Sequence, residues 1–176
     1  MKKSLTTLLL VAGVTLSAMA QNETAAQFQK EFMNTFNAAA EKIDGLARAL
    51  PAEAYDWRPS EGVRSTKEAM MHVAAANYFI GSMLGTPVPE GVDARNLESS
   101  VKTKDEAIKH LNASFDFVRK AAGAVKPADL TKEMDLFGNK STTMGAMYVI
   151  SDHMSEHLGQ LIAYARSNNV APPWSR

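Results

Sequence analysis

His153 and His157 stand four residues apart in the stretch DHMSEHLGQLIAY, Asp152 to Tyr164. In a helix that spacing is about one turn, so both imidazoles leave the same face. This is the HxxxH arrangement by which one helix chelates one metal ion. One helix face cannot surround an ion, so a facing helix has to supply further ligands. Two other histidines occur in the sequence, His72 and His110. His72 falls in an alanine-rich apolar segment, where an unpartnered imidazole costs about 1–3 kcal/mol and coordination would remove that cost. His110 falls off the stripe made by Ile108, Leu111 and Phe115 and reads as solvent-facing. Three imidazoles on one ion leave a position open for water or substrate, as catalytic zinc sites do. Zinc, nickel and iron all accept imidazole, so ligand type alone does not choose among them. Two helical histidines at this spacing also arise by chance, and spacing by itself leaves both readings open. HExxH is absent, which argues against a zincin-type protease.

The residues around these histidines carry weaker expectations. Glu156 points about 100° away from His157 and reads as an exposed or capping carboxylate. Asp152 is placed either at the surface or as a carboxylate orienting a ligand histidine. Gln160 is on the face of His157. Asn77 and Tyr78 follow His72 and fit the core better than a cavity edge. The ten methionines read as core filler rather than soft ligands.

Four helical patterns are available to position the histidines. The first begins near Thr24, where Thr24 and Gln27 have capping-box spacing, and carries the stripe Phe28, Phe32, Phe36, Ala39, Ile43, Leu46, Leu50 before Pro51. The second opens with Ser65 and Glu68, again at capping-box spacing, contains His72, and stops at Gly85-Thr86-Pro87. Its three alanines, Ala74 to Ala76, suit close approach of a neighbouring helix. The third opens with Thr103 and Glu106, follows the stripe Ile108, Leu111, Phe115, Val118, Ala122, Val125, and closes at Pro127. Residues 126–140 are polar, with Leu130, Met134, Leu136 and Phe137 as apolar anchors and a turn or short strand around Gly138-Asn139. The fourth starts at Ser141 to Thr143, runs to about Ser167 and is capped by Asn168-Asn169 before Pro172-Pro173. Four amphipathic helices with little strand signal make an all-α four-helix bundle. The connections Pro51–Arg64 and Gly85–Lys102 are long, so a simple up-down-up-down order is not forced. Trp57, in the first connection, is expected to cover one end of the core.

The chain of 176 residues is long enough for one domain. Its first twenty read as a secretory signal: Lys2 and Lys3, the apolar run Leu8 to Leu16, then Ala18-Met19-Ala20 with cleavage before Gln21. The run is too short to span a bilayer comfortably. An exported, periplasmic protein of residues 21–176 is the expectation, with no membrane attachment after cleavage. Lys and Arg number 19 and Asp and Glu 19, a balance that gives no electrostatic reason to expect nucleic acid as a partner. Cysteine is absent, which excludes disulfides, thiolate metal sites and a cysteine nucleophile.

Two groups of residues resemble the DinB-like superfamily of metal-binding four-helix bundles. The first is Trp57-Arg58-Pro59, Gly62, Ser65 and the helix containing His72. The second is His153, His157, Gly159-Gln160-Leu161, Tyr164, Arg166 and Pro172-Pro173. The resemblance implies that His72, His153 and His157 form a three-histidine site for one divalent ion, zinc first, with nickel or iron as alternatives. It implies either a metal-dependent hydrolase or a thiol-dependent transferase acting on a small molecule. Export weighs against the second, because low-molecular-weight thiols are chiefly cytoplasmic. A homodimer through helix faces is a further expectation from the resemblance. The non-enzymatic alternative is an interaction module whose helices are tied together by the ion.

Overall fold

A computed structural model describes residues 3–175, with side chains from Glu23 onward. The expected signal segment, residues 1–20, therefore lies outside the residues whose side chains are described. Five α-helices occur among the described residues: α1 (Lys3–Ala49), α2 (Thr66–Ser82), α3 (Leu97–Ser100), α4 (Lys104–Ala124) and α5 (Thr143–Ser167). One antiparallel hairpin, β1 (Glu133–Leu136) with β2 (Asn139–Thr142), precedes α5. No helix among the described residues is long and apolar enough to cross a membrane.

The long helices start where the sequence supplies caps. The Ser65 side chain accepts from Glu68 N, and Glu68 accepts from the Ser65 backbone, completing a capping box for α2. Thr103 and Glu106 do the same for α4. The Thr142 hydroxyl accepts from Gly145 N at the start of α5, and Asn168 closes that helix. The first helix departs from expectation. It runs through Thr24 towards Lys3 rather than starting there, because no proline stands between residues 3 and 24 to stop helical propagation.

Helix α2 packs on α4 and α5, and α1 packs on the same two helices from the other side. Sequence neighbours α1 and α2 thus sit across the bundle from one another, which is why a long connection joins them. The core between them includes Phe36, Ile43, Leu46, Met70, Leu111 and Met147, all fully buried. Phe36 stacks on Phe32 at 5.9 Å between ring centroids and meets Phe115 edge-on at 6.1 Å. The close approach of α4 to α2 falls at Gly81, where a β-carbon would lie 2.9 Å from Cε1 of Phe117. Of the three alanines only Ala74 is fully buried. Ala75 and Ala76 line a cavity instead of a helix contact. Trp57 is half-buried and meets Tyr164 edge-on at 5.2 Å, capping one end of the core as expected.

Two further differences bear on the site. The connection after α2 is not structureless: it contains α3, anchored by buried Leu97. And Phe137 is not a core anchor. It is 56% exposed, at the tip of the β1–β2 hairpin. Phe137 (φ 56°) and Gly138 (φ 82°) both have positive φ, which matches the two-residue hairpin turn that favours Asn-Gly. A bulky residue held there costs about 1–2 kcal/mol of backbone strain.

Candidate metal centre

Helix α5 carries His153 and His157 on one face, and neighbouring α2 turns His72 towards them. The ring centroids lie 5.0 Å apart for His72 and His153, 4.9 Å for His72 and His157, and 4.4 Å for His153 and His157. One ligating nitrogen from each ring can be chosen so that all three lie within 4.8 Å of one another. Nε2 of His153 is 3.2 Å from Nε2 of His72. Tetrahedral coordination with zinc–nitrogen bonds of about 2.0–2.1 Å puts ligand nitrogens roughly 3.3 Å apart, so this spacing fits a shared cation. His110 is on α4, half-buried and outside the group.

The outward nitrogens are held as well. Nδ1 of His72 is 3.0 Å from Oε1 of Glu98, and Nδ1 of His157 is 2.7 Å from Oε1 of Gln160. Each oxygen accepts an Nδ1–H, which leaves the Nε2 lone pair facing inward, the tautomer a metal requires. These two contacts are the ends of one chain. Gln160 Nε2 donates to the Tyr164 hydroxyl (2.8 Å), which donates to the Arg64 carbonyl (3.1 Å). Arg64 Nε then donates to Oε2 of Glu98 (2.8 Å). Polar bonds thus join the backs of His72 and His157 by way of the connection before α2, and they fix both ring planes.

Gln160 is therefore on the site as its position suggested. Asp152 and Glu156 are exposed on α5, and the carboxylate behind a ligand histidine is Glu98 instead. Its signal was faint: an acid in a loop, one residue after an apolar Leu97 that needs burial. Asn77 is buried, donating to Ser114 Oγ at 3.1 Å, and Tyr78 is buried against Phe117; both belong to the core. His72 is not the isolated buried imidazole that the alanines suggested. Its side chain is 28% exposed, with a partner at each nitrogen.

Burial is the main influence on His153 and, with His157, His72 and Arg64 nearby, it pushes this imidazole down to about 4. His72 is lowered too, by burial first and then Arg64, with Glu98 pulling the other way. Both are neutral at pH 7, as ligation requires. For His153 the folded value lies below the unfolded one. The unfolded chain therefore binds the extra proton between about pH 6.5 and 4, and stability falls as pH drops through that window. Chelator-treated protein should lose urea resistance between pH 7 and 4. His153→Leu should flatten that part of the profile, measured as the urea midpoint at each pH.

His72 and His153 also form part of the wall of a cavity of about 630 Å³. The rest is mostly apolar, including Ala76, Ile80, Val88 and Val149, with Asp93 and Arg95 at the rim. The imidazole group thus faces open space of small-molecule size rather than packed side chains.

A DinB superfamily model matches residues 35–161, which span the histidines and three of the long helices almost entirely. The chain belongs to the DinB superfamily. Solved structures show the same fold at low identity. A DinB-like protein from Bacillus subtilis is 20% identical with a TM-score of 0.60, covering 81% of this chain and 92% of its own. A DinB-like protein from Bacillus cereus is 19% identical with a TM-score of 0.61, over 82% and 95%. A conserved protein from Enterococcus faecalis is 17% identical with a TM-score of 0.65, over 78% and 94%. No curated protein matches the sequence. The DinB fold accounts for the bundle and for the meeting of α2 with α5; the histidines and their partners have to be read from this chain's own residues.

Proposed function

We propose that this DinB protein is an exported enzyme that holds one divalent metal ion through His72, His153 and His157. Zinc is the first choice, and the ion acts on a small molecule by hydrolysis or group transfer. The observation that carries the proposal is the cavity of about 630 Å³ walled by two of the three imidazoles. An ion serving only to tie helices together needs no solvent-reachable space beside it, whereas a catalytic site keeps a position open. A divalent ion there supplies a Lewis acid that polarises a bound carbonyl or phosphoryl oxygen, or lowers the pKa of a water. The protein's part is to hold the lone pairs of His72 and His157 towards the ion through Glu98 and Gln160, with His153 beside them, and to line the adjoining space with apolar walls. Hydrolysis is favoured over thiol-dependent transfer by the secretory signal read at residues 1–20.

The test is elemental analysis of the purified protein, followed by a screen of ester, amide and phosphate substrates with and without chelator. One ion per chain and a turnover lost in His157→Ala support the proposal. Full turnover in chelator-treated protein would remove the metal from it. Export is checked separately by N-terminal sequencing of the secreted form, expected to begin at Gln21; in that form Thr24 lies near the chain start, where its capping-box spacing with Gln27 can be used.

Glu98→Ala should weaken metal affinity by about 10–100-fold while leaving the fold intact, the usual effect of losing an oxygen behind a ligand histidine. Competition with a chromogenic chelator measures it. Unchanged affinity would mean that Glu98 does not orient His72.

A further inference from the structure

Two phenylalanines stand at the cavity mouth in positions that burial does not explain. Phe79 is 51% exposed on α2 and Phe137 is 56% exposed at the hairpin tip. Their ring centroids are 5.9 Å apart with planes 32° from parallel, and both line the cavity that ends on His72 and His153. Large exposed aromatics gathered from two separate elements mark a binding surface more often than a packing accident. Phe137 adds a second sign. It occupies a left-handed backbone position suited to Asn or Gly, and strain of this kind collects at ligand clamps. The base of the hairpin is tied to the site-bearing helix. The Thr143 N–H donates to the Lys132 carbonyl (3.1 Å) and the Met144 N–H to the Leu130 carbonyl (2.9 Å). The hairpin is therefore fastened to the start of the helix that carries His153 and His157.

We propose that Phe79 and Phe137 form a clamp that selects substrates with an aromatic or other flat apolar body and a polar head that reaches the imidazole group. This deepens the metal-enzyme reading and rests on it for the head only; the clamp itself needs no ion. Most of the remaining wall is apolar, Ala75, Ala76, Ile80, Val88 and Val149 among it, and the hydroxyl of Ser82, which also lines the cavity, already donates to the Phe79 carbonyl (2.7 Å). A strongly charged or sugar-like body would lose its hydration there without replacement. Asp93 and Arg95 at the rim remain in solvent and do not alter that preference.

The test compares three probes on wild type, Phe137→Asn and Phe79→Ala. Benzohydroxamate and acetohydroxamate share a metal-binding head and differ in the aromatic body; both are titrated into zinc-loaded protein. 1-Naphthol, which needs no metal, is titrated into chelator-treated protein. Wild type should prefer benzohydroxamate by about tenfold or more. Each variant should reduce that preference roughly three- to tenfold, and weaken 1-naphthol by a similar factor. Phe137→Asn should melt no lower than wild type, because Asn accepts the left-handed turn position. Equal affinity for the two hydroxamates in wild type, or a preference untouched by both variants, overturns the clamp. Failure of both hydroxamates to bind, with 1-naphthol still dependent on Phe79 and Phe137, keeps the clamp and removes the metal reading. Acetohydroxamate binding without any 1-naphthol binding does the reverse.

Discussion

Replacing His153 with alanine is expected to abolish stoichiometric metal retention and the stabilisation that metal confers. Three imidazoles define the site, and removing any one leaves two protein ligands, fewer than the three a zinc ion with one open position takes. In wild type, free metal at a hundredfold excess over its dissociation constant adds about 2.7 kcal/mol to the folded state. In a domain of this size that amounts to a rise in melting temperature of roughly 5–10 °C. His153→Ala should show no such rise, and neither should His72→Ala, although His72 is 81 positions away in sequence. The melting temperature of each protein with zinc and with chelator gives the result. His110→Ala, outside the group, should behave as wild type. A full zinc response in either ligand variant would remove that residue from the site.

Phe36→Ala is expected to have the opposite signature. Phe36 is fully buried, stacked on Phe32 and edge-on to Phe115, in the contact of α1 with α4. Emptying that space should cost about 3–5 kcal/mol and lower the melting temperature by on the order of 10 °C. Metal stoichiometry below the transition should remain at one per chain, because α1 supplies no ligand. Denaturant unfolding beside elemental analysis separates the two effects. Loss of metal from well-folded Phe36→Ala protein would mean that the α2–α5 geometry depends on α1 more than their direct packing indicates.

These two residues also show what could be read before folding. Stripes such as Phe32–Phe36–Ile43 and caps such as Ser65–Glu68 are local, and helix boundaries followed them closely from α2 onward. The HxxxH pair is local in the same way. The third histidine needed the facing helix, and its place came from the family resemblance as much as from the apolar segment around it. What escaped was what depends on loops meeting helices. Glu98 reaches His72 because a short helix, absent from any periodicity, anchors itself by Leu97. Phe137 looked like an anchor because its type is apolar; only the backbone angle at the hairpin tip turns it outward. Ala75 and Ala76 signalled close helix packing, yet a small side chain can equally leave a cavity, and composition does not distinguish the two. Thr24 marks a helix start only if the chain begins near it.

The most direct test of the central claim is X-ray absorption at the metal edge of purified protein loaded with one equivalent of zinc. The outer-ring scattering counts the imidazoles bound. The account predicts three histidine ligands in wild type, with the remaining position taken by a light atom. A spectrum of solvated zinc without imidazole scattering, or one unchanged in His72→Ala and His153→Ala proteins, would contradict it.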